Sequence, residues 1–172
     1  EFGHYSGYIC LDLIKILIDA NRRKEAERYA GELITYIEPE IQKDDADLQS
    51  ISYVLAAKWY LYRLAECADD KKNYWCECVK LYNRLGNTEL GEYVLGFLED
   101  YFEYENVEFK EIPAVIKRVN PGFGKEEQKV RLMEGIIDKY CDTKEFELCH
   151  IYLLIICAET TNEHSTKWGR DR

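Results

Sequence analysis

Apolar side chains recur at intervals of three and four residues along most of the chain, which is the spacing of one face of an α-helix. Alternation of apolar and polar residues between hairpin turns, the pattern typical of β-strands, is essentially absent. The sequence therefore predicts an all-α fold. Apolar stripes and the residues that interrupt them predict about eight helices, at about 6–20, 22–37, 46–68, 70–85, 88–104, 113–119, 125–141 and 143–160.

Individual residues mark the ends of several of these helices. Asn21 breaks the first helix, and Pro39 disfavours helical backbone at Glu38, so the second helix is expected to stop there. Short polar side chains can accept hydrogen bonds from the first free N–H groups of a helix, and glycine readily adopts a left-handed backbone at its end. The remaining markers are Asp69 or Asp70 as the cap of the fourth helix, Gly86 as its stop, and Thr88 as the cap of the fifth.

The apolar stripes also predict which faces are buried. On the first helix the predicted inward stripe is Ile9, Leu13, Ile16, Leu17 and Ala20. The third helix is apolar on two sides, so we expect it to lie at the centre of the core. Its two stripes are Leu48, Ile51, Leu55, Trp59 and Tyr62 on one side, and Val54, Ala57, Leu61, Leu64 and Ala65 on the other.

The helices pair naturally into hairpins that begin near residues 6, 46, 88 and 125, a period of about 40 residues. A chain of 172 residues is long enough for one domain with a sizeable core. We therefore predict one domain, residues 1–172, of stacked antiparallel helix hairpins forming an α-solenoid. The chain does not begin with methionine, so we expect it to be a piece of a longer protein.

The first hairpin carries a motif of apolar, small and helix-breaking residues: Leu13-Ile14, Leu17, Asn21 to Ala26, Tyr29-Ala30, Leu33 and Pro39. This segment resembles one tetratricopeptide repeat (TPR). Ala26 matches the family's small residue in the second helix, and Pro39 matches its terminal proline with a slip of one position. Cys10 and Ile14 depart from the family's tryptophan and small residue, and about a fifth of the chain carries the pattern. We therefore expect the whole chain to resemble a degenerate array of such repeats.

TPR folds bind peptides or proteins in a concave groove lined by the first helix of each hairpin. The resemblance therefore implies a protein- or peptide-binding scaffold. On the first helix it assigns four residues to the groove, spaced four, three and four apart on one face: Tyr8, Asp12, Lys15 and Asp19. From the second hairpin we add Ser52, Tyr60 and Arg63, although no motif there fixes the rotation of the helix. An ordinary solvated stripe is the alternative interpretation.

Charge and cysteine content narrow the partners and the compartment. The formal net charge of −10 opposes binding to nucleic-acid phosphates. No apolar run reaches the length of a membrane span or looks like a signal peptide. An odd number of cysteines at irregular spacing predicts reduced, mostly buried thiols, and hence a cytoplasmic protein. These cysteines are Cys10, Cys67, Cys76, Cys78, Cys141, Cys149 and Cys157.

Residues suited to catalysis or metal binding are scarce. Three histidines could carry protons near neutral pH, and His4 and His164 lie near the ends of the chain. Cys76 and Cys78 would point about 200° apart on a helix, which does not suit a shared metal ion. Phosphate-binding loops, nucleophile elbows and zinc-binding helix motifs do not occur. We therefore predict that the chain is not an enzyme and has no catalytic residue, no metal site and no cofactor.

Two other functions stay open at this stage. The chain is also compatible with the ligand- or peptide-sensing part of a regulator whose DNA-binding domain lies elsewhere. A helical-bundle enzyme or a self-assembling protein is the third class, and homo-oligomerisation is compatible with the sequence. The scaffold interpretation leads because the resemblance in the first hairpin points to it.

Overall fold

The computed structural model describes residues 4–43, 45–86, 88, 90–105, 111, 114, 115, 118 and 119. These residues are predominantly helical and contain no strand, so the all-α prediction is confirmed for them. The elements are α1 (His4–Asp19), α2 (Arg23–Ile41), α3 (Leu48–Leu64), α4 (Ala68–Leu85), a 3-10 helix (Glu92–Val94) and α5 (Leu95–Tyr104). Three of the seven residues of the predicted sixth helix (113, 116 and 117) and all of the seventh and eighth helices lie outside the described residues.

The chain divides into two compact units, residues 1–97 and 98–172. The first unit contains α1 to α4, the 3-10 helix and the start of α5. Among the described residues of the second unit, Leu98, Phe102 and Val119 are buried. The single domain predicted for residues 1–172 stays a prediction.

Asn21 ends α1 as its position in the sequence predicts. Its backbone has a φ of 58°, the left-handed conformation that asparagine tolerates better than most residues. The N–H of Asn21 donates to the carbonyl of Ile18, and the N–H of Arg22 donates to that of Leu17. These two hydrogen bonds form a Schellman motif, which satisfies the last carbonyls of the helix and turns the chain into α2.

The buried face of α1 differs from the predicted one. Ile9 and Ile16, predicted to point inward, are 63% and 62% exposed. The buried positions are instead Leu11, Ile14 and Leu17, of which Leu17 belongs to both sets. Both stripes have helical spacing, so the period alone does not distinguish them. Packing against α2 and α3 selects the second stripe and leaves the first at the surface.

Pro39 does not end α2, contrary to the prediction. The helix continues through Pro39 to Ile41, and proline here lacks the N–H that would bond to the preceding turn. Ile41 is 4% exposed, and its carbonyl accepts a hydrogen bond of 2.6 Å from the guanidinium of Arg84 in α4. Burial of this last isoleucine and the bond from Arg84 stabilise a turn that local preference disfavours.

α3 is the centre of the first unit, as its two apolar faces predict. It packs against α1, α2, α4 and the 3-10 helix. Seven consecutive residues from Ile51 to Ala57 are buried, so no side of this part of the helix faces solvent. Asp47 caps its first turn by accepting a hydrogen bond of 3.0 Å from the N–H of Ser50.

The fourth and fifth helices begin at other positions than predicted. The cap position of α4 is Cys67, and Asp69 and Asp70 lie within the first turn, where carboxylates favour the helix dipole. Gly86 ends α4 with a φ of 55°, as predicted. Thr88 does not cap the fifth helix, because that helix begins at Leu95. The hydroxyl of Thr88 instead donates to the carbonyl of Leu85 at the end of α4.

Helix starts in the first two hairpins recur at a regular distance. α1 and α3 begin 44 positions apart, at residues 4 and 48, and α2 and α4 begin 45 apart, at residues 23 and 68. The spacing exceeds both the predicted 40 and the about 34 residues of a TPR. Consecutive helices from α1 to α4 pack directly against each other, which is the arrangement that short connections favour.

Candidate functional site

The outward face of α1 next to α3 carries the residues that the sequence assigned to a groove. Tyr8, Lys15 and Asp19 are exposed, and Asp12 is half-buried. α1 and α3 pack against each other, so residues on the adjoining edge of α3 belong to the same surface. We call Tyr8, Asp12, Lys15, Asp19 and Tyr60 the α1–α3 face.

Tyr60 of α3 lies close enough to Asp12 and Asp19 of α1 for their charges to act on its phenol. Burial, and after it the negative charges of Asp12 and Asp19, together raise the pKa of this phenol to about 12. Asp12 and Asp19 are seven residues, or about two helical turns, apart on α1, and both act on the same hydroxyl. The structure therefore brings three of the predicted residues together. Tyr60 therefore keeps its proton throughout the physiological range and can act as a hydrogen-bond donor.

The charges on the α1–α3 face are not neutralised locally. Within the described part of the chain, neither Asp12 nor Asp19 forms an ion pair. Lys15 lies between them on α1 and is likewise exposed. The face thus presents two carboxylates and one cation beside a protonated phenol. Because the carboxylates outnumber the cation, the face suits a positively charged ligand.

An aromatic cluster forms one end of this face. The ring of Tyr93 from the 3-10 helix meets Tyr8 of α1 edge-on at 5.4 Å and Tyr53 of α3 at 5.6 Å between ring centres. The amide of Gln49 donates a 2.7 Å hydrogen bond to the hydroxyl of Tyr53. Gly7 has no side chain where the Tyr53 ring packs, which allows this close approach.

Sequence reasoning missed Tyr53 and Tyr93. Tyr53 lies seven positions before Tyr60, which is two helical turns, so the same stripe of α3 could have identified it. No local pattern places Tyr93 near α1, because that contact joins residues far apart in the sequence.

The remaining two predicted site residues lie in different surroundings. Ser52 is buried, and its hydroxyl donates to the carbonyl of Leu48 at 3.0 Å, so it is already used within α3. Arg63 is exposed, and its guanidinium lies over the ring of Trp59 at 5.7 Å from the ring centre. Their assignment to a binding site stays a prediction.

Cysteine positions agree in part with the sequence prediction. Cys78 is buried, and burial raises the pKa of its thiol to about 12, which keeps it protonated. Cys76 is exposed, so the two thiols of the Cys-x-Cys segment do point apart on α4. Cys67 is also exposed, contrary to the expectation of burial. The described residues include no group of three His, Cys, Asp or Glu side chains positioned to hold a metal ion.

None of the described helices combines the length and apolar character that a membrane span requires.

Comparisons with known proteins give no relative. No protein-family model, no curated protein and no solved structure matches this chain.

Proposed function

We propose that this chain is a protein-binding module whose α1–α3 face holds a segment of a partner protein that contains lysine or arginine. One observation carries the proposal: α1 packs on α3 so that the charges of Asp12 and Asp19 both act on the phenol of Tyr60. Carboxylates form the strongest protein hydrogen bonds with ammonium and guanidinium groups, at about twice the strength of neutral pairs. The partner's cation would thus pair with these carboxylates on the side that faces Tyr60.

The aromatic end of the face supports an extended partner segment. Tyr8 is 38% exposed and is held edge-on by Tyr93, so its position is defined before any ligand arrives. A rigid aromatic ring offers contact area at little loss of conformational entropy, which is why tyrosine is enriched at binding surfaces. A residue two or three positions from the bound cation would contact this ring.

The architecture that we propose for the whole chain is a TPR-like α-solenoid of about eight helices. The repeated spacing of α1 and α3 and of α2 and α4 supports it, because stacked hairpins place the first helix of each pair on one side. In this proposal the chain binds rather than catalyses. Tyr60 serves as a donor, since a phenol with a pKa of about 12 is a poor general acid near neutral pH.

The test is a selection of linear peptides from a displayed library, followed by affinity measurements on the enriched sequences as synthetic peptides. We expect the enriched peptides to share a lysine or arginine. The double substitution Asp12→Asn/Asp19→Asn should weaken their binding at least about tenfold, since it removes charge-assisted hydrogen bonds. Replacing the peptide's cation with an uncharged residue should cause the same loss, and both changes together should add little.

Asp69→Asn/Asp70→Asn provides the matched control, because it also removes two negative charges, but from an exposed part of α4. It should leave the affinity unchanged. An equal loss of affinity in this control would show that the peptides bind through general attraction to an acidic chain and not at the α1–α3 face. Enriched peptides without a cation would contradict the proposed chemistry.

A further inference from the structure

A second surface of α1, about a quarter turn around the helix from Tyr8 and Lys15, forms an apolar groove with α2. Its volume is about 830 Å³. We call this the α1–α2 groove. It is lined by Ile9, Cys10, Leu13, Tyr29, Gly31, Glu32, Leu33, Thr35 and Tyr36.

The walls of the α1–α2 groove expose much apolar surface. Ile9 is 63% exposed, Leu13 36% and Tyr36 45%, and Ile16 continues the same stripe of α1 at 62%. Such stripes normally pack against another element, because moving apolar surface out of water is favourable. A contiguous exposed apolar patch is a recognised mark of an interaction site.

Both walls have the spacing of a helix seam. On α1 the exposed apolar positions are 9, 13 and 16, and on α2 the apolar side chains that line the groove are at 29, 33 and 36, of which Leu33 is buried. Each set steps by four and then three residues. This is the spacing at which packed helices present side chains to one another. A third helix placed along the groove would meet one seam on each side.

The amount of exposed surface favours a single helix over a second copy of the chain. Scaled by their exposed fractions, Ile9, Leu13, Ile16 and Tyr36 offer roughly 250 Å² of apolar surface. A stable interface between two folded proteins buries about 800 Å² per partner, of which roughly 450–500 Å² is apolar. The groove therefore falls well short of a stable dimer contact but is suited to the apolar face of a short helix.

Charge at the groove selects among such helices. Of its lining residues, Glu32 is the charged one, and it forms a 3.7 Å ion pair with Arg28 one turn earlier on the exposed side of α2. Glu32 is also close enough to Cys10 to raise the pKa of that thiol, after the larger effect of burial. A helix bearing lysine or arginine at the edge of its apolar stripe would meet this carboxylate.

We propose that the α1–α2 groove binds an amphipathic α-helix of a partner protein, with apolar residues at i, i+4 and i+7 and a basic residue beside Glu32. This site is separate from the α1–α3 face and takes a different ligand chemistry. The proposal therefore goes beyond the one above, and either can fail without the other.

The test uses a displayed library of helix-favouring peptides of about four turns, in which the positions of one face are randomised. We expect selection to enrich apolar residues at i, i+4 and i+7. Binding of the enriched peptides, measured by fluorescence anisotropy, should weaken roughly 30-fold or more in Ile9→Glu/Ile16→Glu, since two apolar contacts are lost and charge is introduced. Scrambled peptides of the same composition should not bind.

Two control variants separate this site from other surfaces. Leu48→Glu replaces another exposed apolar residue, 42% exposed at the start of α3, and should leave peptide binding unchanged. Asp12→Asn/Asp19→Asn should also leave it unchanged, because those residues lie on the α1–α3 face. Circular dichroism of each variant verifies that the helices are intact.

Several results would overturn the proposal. Enrichment without helical periodicity, or equal binding by Ile9→Glu/Ile16→Glu, would exclude the groove as the site. If the purified chain is a dimer in sedimentation and Ile9→Glu/Ile16→Glu makes it monomeric, a second copy occupies the groove. Binding of the chain to vesicles of anionic and neutral phospholipid that depends on the same two isoleucines would identify a membrane surface instead.

Discussion

α1 and α3 start from similar patterns and end in different surroundings. Each helix carries apolar residues on more than one face, yet α3 is covered over its middle turns whereas α1 leaves Ile9 and Ile16 at the surface. The difference arises from position: α3 packs against four other elements, whereas α1 packs mainly against α2 and α3 and meets the 3-10 helix only through Tyr8 and Tyr93 among the described contacts. The same apolar pattern thus builds the core in one helix and leaves a candidate binding surface in the other.

The largest expected effect comes from truncating one leucine on each helix. Leu55→Ala removes a fully buried side chain of α3 and should lower the free energy of unfolding by about 3 kcal/mol, because the cavity cannot close completely. Leu13→Ala removes a 36% exposed side chain of α1 and should cost about half as much, roughly 1.5 kcal/mol. Urea denaturation of both variants measures these losses. Similar losses of unfolding free energy in the two variants would contradict the difference in burial between α3 and α1.

A second pair of variants adds a methyl group instead of removing one. At Gly96 a Cβ would overlap the indole of Trp59 from α3, so Gly96→Ala should destabilise the protein by about 2 kcal/mol. At Gly31 in α2 nothing lies within 4 Å of such an atom. Gly31→Ala should therefore stabilise by up to about 1 kcal/mol through helix propensity. In thermal unfolding we expect the midpoint temperature to fall in Gly96→Ala and to rise in Gly31→Ala.

The lysines of the two helices give a third contrast. The ammonium of Lys58 in α3 lies 2.7 Å from Glu77 and 3.5 Å from Glu38, and its side chain is 11% exposed. Burial alone would lower its pKa, but the hydrogen bond and charge of Glu77, followed by those of Glu38, raise it overall. Lys58→Ala should cost about 1 kcal/mol, less in high salt.

Lys15→Ala on α1 is the counterpart. Lys15 is exposed and has no ion pair with the residues that the structure describes, so its replacement should change stability by less than about 0.5 kcal/mol. Denaturation at low and high salt compares the two lysines. An equal salt dependence in both variants would contradict the bridging role of Lys58.

The smallest effect concerns Tyr60, where α1 and α3 meet. Its pKa is about 12 in the folded protein against about 10 in the unfolded chain, so between these values the folded state alone keeps the proton. Stability is therefore constant below about pH 10 and falls as the pH rises toward 12, by on the order of 1 kcal/mol at pH 11. Tyr60→Phe should reduce this alkaline slope. The raised pKa of Tyr53 adds to it in the same direction.

Asp12→Asn/Asp19→Asn refines the same measurement. Removing the two carboxylates should lower the pKa of Tyr60 only in part, because burial is the larger cause. Phenolate absorbance of wild type, the double variant and Tyr60→Phe would resolve this step by difference. No change between wild type and the double variant would show that these carboxylates do not act on Tyr60.

The sequence alone determined the features that depend on local energetics. Helical periodicity predicted the all-α class, and Asn21 and Gly86 were identified as helix stops because few residues adopt their positive φ angles. The central position of α3 followed from its two apolar faces, since a helix that is apolar on two sides must be covered on both. Four of the residues assigned to the α1–α3 face lie on one stripe of α1, which spacing also predicted.

Tertiary structure decided what local rules leave open. Two stripes on α1 are equally apolar, and contact with α2 and α3 determined that Ile14 is buried and Ile9 exposed. Local preference would end α2 before Pro39, but burial of Ile41 and the hydrogen bond from Arg84 extend it. The convergence of Asp12, Asp19 and Tyr60 likewise depends on how α1 lies against α3. Each outcome rests on contacts between residues far apart in the sequence, whose energies no local pattern contains.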